Sequence, residues 1–492
     1  MTKKKIAMFV YNNCKSDARV LKEAKSLGKG GFDVTIYALK NDDVSWKEQK
    51  ENFSIVRLNK LPFHYKLFRV IRNIILSLIL FIIKINRGIY RMLYSFGFKN
   101  IQPIENKLEN IIKQLTHKNT RDSFNKIIKI TLHNSFLILG IFIIILPLLI
   151  LPIFLVLPFF FIGYLVNIFF AKYIMFIHRV LCIYDFHKRC IKECRNIPYD
   201  YFHGHDLYTL PTAATLAKIK NGKAVYDSHE LFTEIASFIN IEKRFYSFIE
   251  KKYFPQVAAS ITVNETIAKE LSKRYNVNQP NVVMNCPPRI KDETSHTENV
   301  LLNSVGIKKT SKFVILYQGG YSPGRGLENL MLANEFLAEN TIMLFMGWGL
   351  LESKLKAIAK ENKWLNNKVF FTEPVTQDLL LHYTKCADVG VIPYQFVGLN
   401  NYYCSPNKLF EYINAHITIA ASDFPELKKV IYHYEIGTTF DPENPKDIAN
   451  AINKMIIDKN TIEGMKKNTY AAAEIFNWEN EEKKLINLYK AL

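Results

Sequence analysis

The stretch Cys404-Ser405-Pro406-Asn407-Lys408-Leu409-Phe410-Glu411-Tyr412 holds residue types that together can grip an anion and a diol. Ser405 is a strong helix N-cap, and Pro406 suits the first helical position, where a missing N–H costs nothing. The free N–H groups and positive dipole end of such a helix attract an anion. Lys408 adds a full charge in the first turn, beside Asn407. Glu411 lies one turn on, about 4.5 Å along the axis at ~1.5 Å per residue. A phosphate held at the helix tip would leave Glu411 at the hydroxyls of an attached ribose. An ordinary capped helix with a solvated Lys and Glu uses the same residues, so the surroundings must decide.

A second anion-binding pattern lies at Tyr317-Gln318-Gly319-Gly320-Tyr321-Ser322-Pro323-Gly324-Arg325-Gly326-Leu327. It reads as a strand, a Gly-rich loop and a helix start. Gly319 and Gly320 let backbone N–H groups approach an anion, and Arg325 can fork onto phosphate oxygens. Polar clusters also fall where other strands end: Asn12, Asn13 and Asp17; His203-Gly204-His205-Asp206; and Asp227-Ser228-His229-Glu230. Asn12, Asn13 and Asp17 suit either turn formation and capping or ligand contact. Cys190 and Cys194 lie four apart with His187 nearby, which reads as coincidence on a helix surface because a fourth metal ligand is missing. Asp42-Asp43 reads as a solvated turn. No metal is expected.

The elements that must position these residues alternate strand and helix. Ile6–Tyr11, Val34–Leu39 and Ile55–Leu58 read as strands, with helix Asp17–Leu27 between the first two. Such a start predicts an α/β fold with a parallel sheet and ligands at the strand C-terminal ends. The pattern resumes with strands Tyr199–His203, Lys223–Tyr226, Ala259–Val263 and Asn281–Met284. A second α/β unit begins at Phe313–Gln318 and continues through strands Ile342–Met346, Lys368–Phe371, Val389–Pro393 and Ile417–Ala421. The predicted organisation is an N-terminal domain of residues 1–60 and 196–290, an insertion of 61–195, and a C-terminal domain of 300–475. Residues 476–492 form a last helix packing back on the N-terminal domain.

The net charge of +20 is concentrated in the insertion: residues 60–199 hold 20 Lys and Arg against 5 Asp and Glu. The most apolar segments lie there too, which suits an anionic membrane surface better than nucleic acid. Phe68–Ile85, interrupted by Arg69, Arg72 and Lys84, reads as an interfacial helix. Residues 100–129 read as polar and helical. Phe136–Ala171 carries no charge, too long for one crossing at roughly 20 residues and short for two. With Pro147, Pro152 and Pro158 as bends, it reads as a re-entrant hairpin entering and leaving from the cytoplasmic face, where Lys126, Lys129, Lys172 and Arg179 flank it; a two-pass hairpin with a short outer turn and a soluble apolar insertion are the alternatives. Residues 68–171 would thus hold the protein, integral or monotopic, at that face of the cell membrane. The seven scattered cysteines fit reduced thiols.

Across residues 4–60 and 196–490 the chain resembles the retaining nucleotide-sugar glycosyltransferases of the GT-B fold, glycosyltransferase family 4. The Arg325 loop, Ser405 through Glu411, Ala421-Ser422-Asp423 and the His205 and Asp227 clusters carry the resemblance. It implies two Rossmann-like domains facing a cleft, the donor in the C-terminal one and the acceptor in the N-terminal one. Transfer of a sugar from a nucleoside diphosphate to a lipid-linked or surface-polysaccharide acceptor would follow, without metal or other cofactor. Arg325 and Lys408 would stabilise the leaving diphosphate, and Glu411 would hold the ribose. His205 would lie near the donor sugar with Asp206 as its partner. Gly347 and Val375 would line the nucleobase side, and Asp227, His229 and Glu230 would face the acceptor. Two positions depart from the family pattern: Gly320 stands where an Arg is usual, and Tyr403 where the first of two paired glutamates is usual. Lys408 is expected to replace the missing cation. A GT-B sugar-nucleotide epimerase and a non-catalytic membrane adaptor with a decayed site are the alternatives.

Overall fold

The computed structural model describes residues 3–59, 73, 77, 150–289, 299–308 and 310–492, with backbone alone for 150–171. Two compact units result, one of residues 1–60 and 186–492 and one of residues 61–185. The first unit contains two sheets. The N-terminal sheet has the order β3-β4-β2-β1-β5-β6-β7-β8. Its strands are β1 Lys5–Phe9, β2 Asp33–Lys40, β3 Lys47–Gln49, β4 Ser54–Asn59, β5 Tyr201–His205, β6 Lys223–Ser228, β7 Ala259–Thr262 and β8 Asn281–Val282. All neighbours are parallel except the short edge strand β3, which runs antiparallel to β4. The C-terminal sheet is parallel, in the order β11-β10-β9-β12-β13-β14. It comprises β9 Phe313–Gln318, β10 Thr341–Met346, β11 Val369–Thr372, β12 Val389–Ile392, β13 Thr418–Ser422 and β14 Gly437–Phe440.

Continuous apolar runs such as Val314–Tyr317 and Ile342–Met346 are buried, as strands covered by helices on both faces must be. In the N-terminal sheet β1 occupies the centre, with β2 on one side and β5 on the other. The helices that matter for the site are α1 Ala18–Lys29, α2 Ile150–Cys194, α3 Asp206–Lys220, α4 Asn240–Tyr253 and α5 Glu265–Tyr275. They continue with α6 Leu327–Leu332, α7 Leu399–Tyr402, α8 Asn407–Asn414, α9 Pro425–His433 and α10 Trp478–Ala491. The last of these lies in the N-terminal core, where Trp478, Leu485 and Tyr489 pack with Val20, Ala24 and Ile36. Helix α4, edge strand β3 and strand β14 are absent from the sequence reading.

Three expectations about the insertion need correction. Residues 150–194 form one continuous helix rather than short pieces bent at Pro152 and Pro158. Pro152 and Pro158 both lie within this helix, where each removes one backbone donor without ending it. No hairpin turn therefore lies at Pro152. The insertion also ends earlier than residue 195, because Phe186, Cys190 and Cys194 are buried in the N-terminal core with Phe9 and Phe202. Cys190 and Cys194 are accordingly core thiols rather than surface residues, and burial pushes the Cys194 thiol up to about 12. His187 instead shares a 3.0 Å hydrogen bond with the Thr212 hydroxyl. Phe68–Ile85 lies outside the described residues apart from residues 73 and 77. Pro147, residues 100–129 and most of the linker between the domains also lie outside them. Among the described residues no helix is long and apolar enough to cross a membrane.

Candidate functional site

The C-terminal ends of β9 and β12 and the start of α8 bring three charged side chains together. Helix α8 starts at Asn407, with Pro406 extended in the capping position (φ −67°, ψ 147°) and no side-chain cap. Ser405 is thus not the cap. Its hydroxyl accepts a 3.0 Å hydrogen bond from Asn264 Nδ2 at the start of α5 in the N-terminal domain, and Asn407 Oδ1 accepts from Asn285 at 3.0 Å. Lys408 and Glu411, each 9% exposed, follow three residues apart on one face of α8.

Lys408 Nζ lies 5.0 Å from the centre of the Tyr317 ring and 5.5 Å from that of Tyr394. The guanidinium of Arg325 stacks on the other shared wall, 4.0 Å from the Tyr394 ring centre. Burial lowers the Lys408 ammonium to about 8, with Arg325 adding to the shift and Glu411 opposing it. A Cβ at Gly319, which has φ +115°, would stand 2.8 Å from that ammonium, so glycine is needed for both backbone and space. A Cβ at Gly320 would meet only Ser322 Oγ at 3.7 Å. Gly347 closes the loop from the far side: a Cβ there would stand 2.0 Å from the Gly319 carbonyl oxygen. Val375 packs on the same core as α8.

Glu411 is held by a residue the sequence reading overlooked. Gln318 Nε2 donates to Glu411 Oε2 at 2.6 Å, and Thr384 Oγ1 donates to Gln318 Oε1 at 2.7 Å. The carboxylate accepts only, so it turns the Gln318 Nε2 toward itself, and the amide in turn holds the carboxylate in place. Burial raises the Glu411 carboxyl, against the pull of Lys408 and Gln318. Tyr394 and Lys22 were also overlooked. Lys22 donates to the Cys286 carbonyl, stacks 4.6 Å over Trp478, and is lowered to about 8 by burial.

In the N-terminal domain Asp227, at the end of β6, organises the polar cluster. Arg19 donates to it twice, Nε to Oδ2 at 2.9 Å and Nη2 to Oδ1 at 2.7 Å, and its Nε also lies 3.1 Å from Glu23 Oε1. Arg19 and Glu23 are spaced four apart on α1, the one sequence signal that could have found them. Asp227 Oδ2 further meets His205 Nδ1 at 3.1 Å and His229 Nε2 at 2.8 Å. Burial disfavours the Asp227 charge, but Arg19 and His229 hold its carboxyl well below the usual range. Burial alone would lower His229; Asp206 and Asp227 overcome it and raise the imidazole to about 9.

The expected partnership of His205 with Asp206 is not found. Asp206 opens α3 at φ +58°, which turns its carboxylate to His229, with Oδ2 3.3 Å from Nδ1. His205 is buried, and its Nε2 has no hydrogen-bond partner. Glu230 Oε2 accepts from Asn400 Nδ2 of α7 at 2.6 Å, so it joins the two domains. Asn12 donates to Asp17 at 2.8 Å, Asn13 accepts from the Lys15 N–H, and Asp17 caps α1; all three serve the turn. Tyr403 lines a shallow cavity of about 220 Å³ with Thr266 and Lys269 of α5, apart from the Lys408 cluster.

Glu23, His203, His205 and Asp227 each offer a ligand atom, all within 4.8 Å of one another. Among the described residues this is the grouping that could hold a cation. It does not fit one well, because Arg19 already supplies a buried positive charge to both carboxylates.

Residues 303–472 match the family Glycosyl transferases group 1, and residues 158–287 match Glycosyltransferase Family 4. Both regions are thus similar to glycosyltransferase domains. Sucrose-phosphate synthase from Thermosynechococcus elongatus is similar in structure, at TM-score 0.65 and 14% identity over 99% of each chain. HepE of Anabaena in complex with UDP-glucose aligns at TM-score 0.59 and 11% identity, over 99% of this chain and 100% of that one. WaaG, a glycosyltransferase involved in lipopolysaccharide biosynthesis, aligns at 0.55 and 12%, over 98% and 99%. At such identities the likeness shows the GT-B fold. No curated protein sequence matches the chain. These findings favour neither the epimerase nor the adaptor alternative.

Proposed function

We propose that the protein transfers a sugar, with retention and without metal, from a nucleoside diphosphate sugar to a lipid-linked or surface-glycan acceptor. The observation that carries the reading is the convergence of Arg325, Lys408 and Glu411 at the tip of α8, inside a region matching a glycosyltransferase family. As the bond between the anomeric carbon and the diphosphate oxygen breaks, its electron pair goes to that oxygen. Arg325, Lys408 and the free N–H groups of α8 stabilise the charge that develops there. Glu411, oriented by Gln318, accepts from the ribose hydroxyls. The new bond forms to the acceptor oxygen, whose proton leaves with the departing diphosphate. His205 keeps the role the resemblance implies, on the donor-sugar side of the cleft, with its ring held by Asp227 at 3.1 Å. A uridine donor is the first to test, since HepE was solved with UDP and with UDP-glucose.

Arg325→Ala and Glu411→Ala should each lower turnover of the donor by roughly 10²-fold, the scale for losing a charge-stabilising group. Wild-type rates in both variants would sink the assignment. Product anomer analysis by NMR decides retention.

The cytoplasmic membrane face is part of the proposal. Strands β4 and β5, which flank the insertion, lie in one sheet, which supports an insertion that leaves and returns on one side of the membrane. Recovery of the full chain in a washed membrane fraction supports this placement. A chain that stays in solution without detergent argues against it.

A further inference from the structure

Tyr403 lines a cavity of about 220 Å³ with Thr266, Lys269, Glu270 and Lys273 of α5, so each domain supplies a wall. The four α5 residues recur at intervals of three and four and share one face of the helix. The charges on that face are not balanced. Arg274 donates to Glu270 Oε1 from Nη2 at 2.8 Å and from Nε at 3.2 Å, which engages the acid that lines the cavity. Glu426, buried nearby, accepts from the Thr266 N–H at 3.2 Å and from its hydroxyl. Lys269 and Lys273, both exposed, form no ion pair among the described residues. Two ammonium groups are therefore left to a ligand. The half-buried Tyr403 ring is tilted at 40° to Tyr402, with centres 5.4 Å apart, and Tyr402 packs edge-on against Phe424 at 5.1 Å. Those neighbours hold the ring in place at the cavity wall.

We infer that this cavity binds an anionic sugar unit of the glycan acceptor. A pyranose has an apolar C–H face and a rim of hydroxyls, which suits a fixed tyrosine ring beside side chains that donate hydrogen bonds. A carboxylate or phosphate on that sugar would lie against Lys269 and Lys273. The volume falls below the ~300–1,000 Å³ of pockets that enclose a drug-sized ligand, so it admits one ring of a chain that continues in solvent. Its position ties the cavity to the proposed chemistry. Asn264, the N-cap of α5, donates to the Tyr403 carbonyl at 2.7 Å and to Ser405 Oγ at 3.0 Å, just before α8 begins. A sugar held there would bridge α5 to the segment that leads into Lys408, and so favour the state in which the two domains are joined. The inference rests on the proposed glycan acceptor and makes that glycan an acidic one.

The test compares a charged with an uncharged oligosaccharide. The full-length chain is titrated, by ligand-observed NMR, with a hyaluronan tetrasaccharide, which carries glucuronate, and with chitotetraose, which carries no charge. The expected result is saturable binding of both, with the acidic chain about fivefold tighter, the scale of one or two exposed charge pairs. In Lys269→Gln combined with Lys273→Gln that preference should vanish. Tyr403→Leu should weaken both ligands and Tyr403→Phe neither, because stacking needs the ring and not the hydroxyl. Equal binding of the two oligosaccharides, no saturable binding of either, or a preference that survives the double lysine variant overturns the inference. If inorganic phosphate displaces the acidic chain as readily as that chain displaces itself, the lysines hold a bare anion and the sugar assignment fails. Each of these failures leaves the donor assays on Arg325→Ala and Glu411→Ala to decide the glycosyltransferase reading by themselves.

Discussion

Lys408 is the residue on which the proposed donor site turns. Its ammonium is buried against two tyrosine rings, and its value of about 8 means that it stays charged only below that pH. Catalytic efficiency toward the donor should therefore fall as pH rises above about 8. Lys408→Arg, charged throughout, should move that limb upward in the pH–rate profile. The neighbouring glycines should behave differently. Gly319→Ala strains the backbone and crowds the ammonium, and should weaken donor binding by roughly tenfold, read by calorimetry. The open space at Gly320 should accept an Arg, and Gly320→Arg should restore part of the activity lost in Lys408→Ala. In the other domain, Glu23 is raised to about 7 by burial and by Asp227, against Arg19. A raised carboxyl binds a proton more tightly in the folded chain, so its contribution is complete below about 4.5 and is lost as pH rises through 7. Thermal melts of Glu23→Gln from pH 5 to 8 should show a shallower decline than those of the unsubstituted chain.

At the scale of elements, α1 and α10 carry the polar cluster of the N-terminal domain on a shared apolar face. Trp478 donates to Ser26 Oγ at 2.9 Å and lies beneath Lys22, while Tyr489 meets His203 Nδ1 at 2.6 Å. The last helix of the chain thus completes the core of the first domain. Trp478→Ala should cost about 3–5 kcal/mol, measured by denaturant unfolding.

For the molecule as a whole, the two domains are tied at the cleft by short polar contacts. Asn264 Nδ2 donates to the Tyr403 carbonyl at 2.7 Å, and Asn400 Oδ1 accepts from the Leu231 N–H at 3.0 Å. These bonds hold α7 and the start of α8 against α5 and the end of β6. Asn264→Ala combined with Asn400→Ala should release that grip. A larger radius of gyration by X-ray scattering and a donor KM raised about tenfold are expected, since each lost buried bond costs roughly 1–3 kcal/mol.

Periodicity was enough to place most of the parallel strands, because a strand buried on both faces must be an unbroken apolar run, as Val314–Tyr317 and Ile342–Met346 are; the parallel edge strand β14, half-buried and without such a run, escaped it. Glycine spacing and the Lys408–Glu411 interval likewise pointed to the cluster proposed as an anion site, since both reflect local backbone geometry. Helix α4 was not legible, because its buried faces carry Glu242 and Glu250, and the partners of Glu250, Tyr226 and Tyr275, come from other elements. The same reason hid Gln318 behind Glu411 and gave His205 to Asp227 rather than to Asp206 beside it. Sequence alone determined which segments alternate and which residue types gather at strand ends. Tertiary structure decided the pairing of charges, because a buried charge takes whichever partner the packing brings within hydrogen-bonding reach, however far away along the chain.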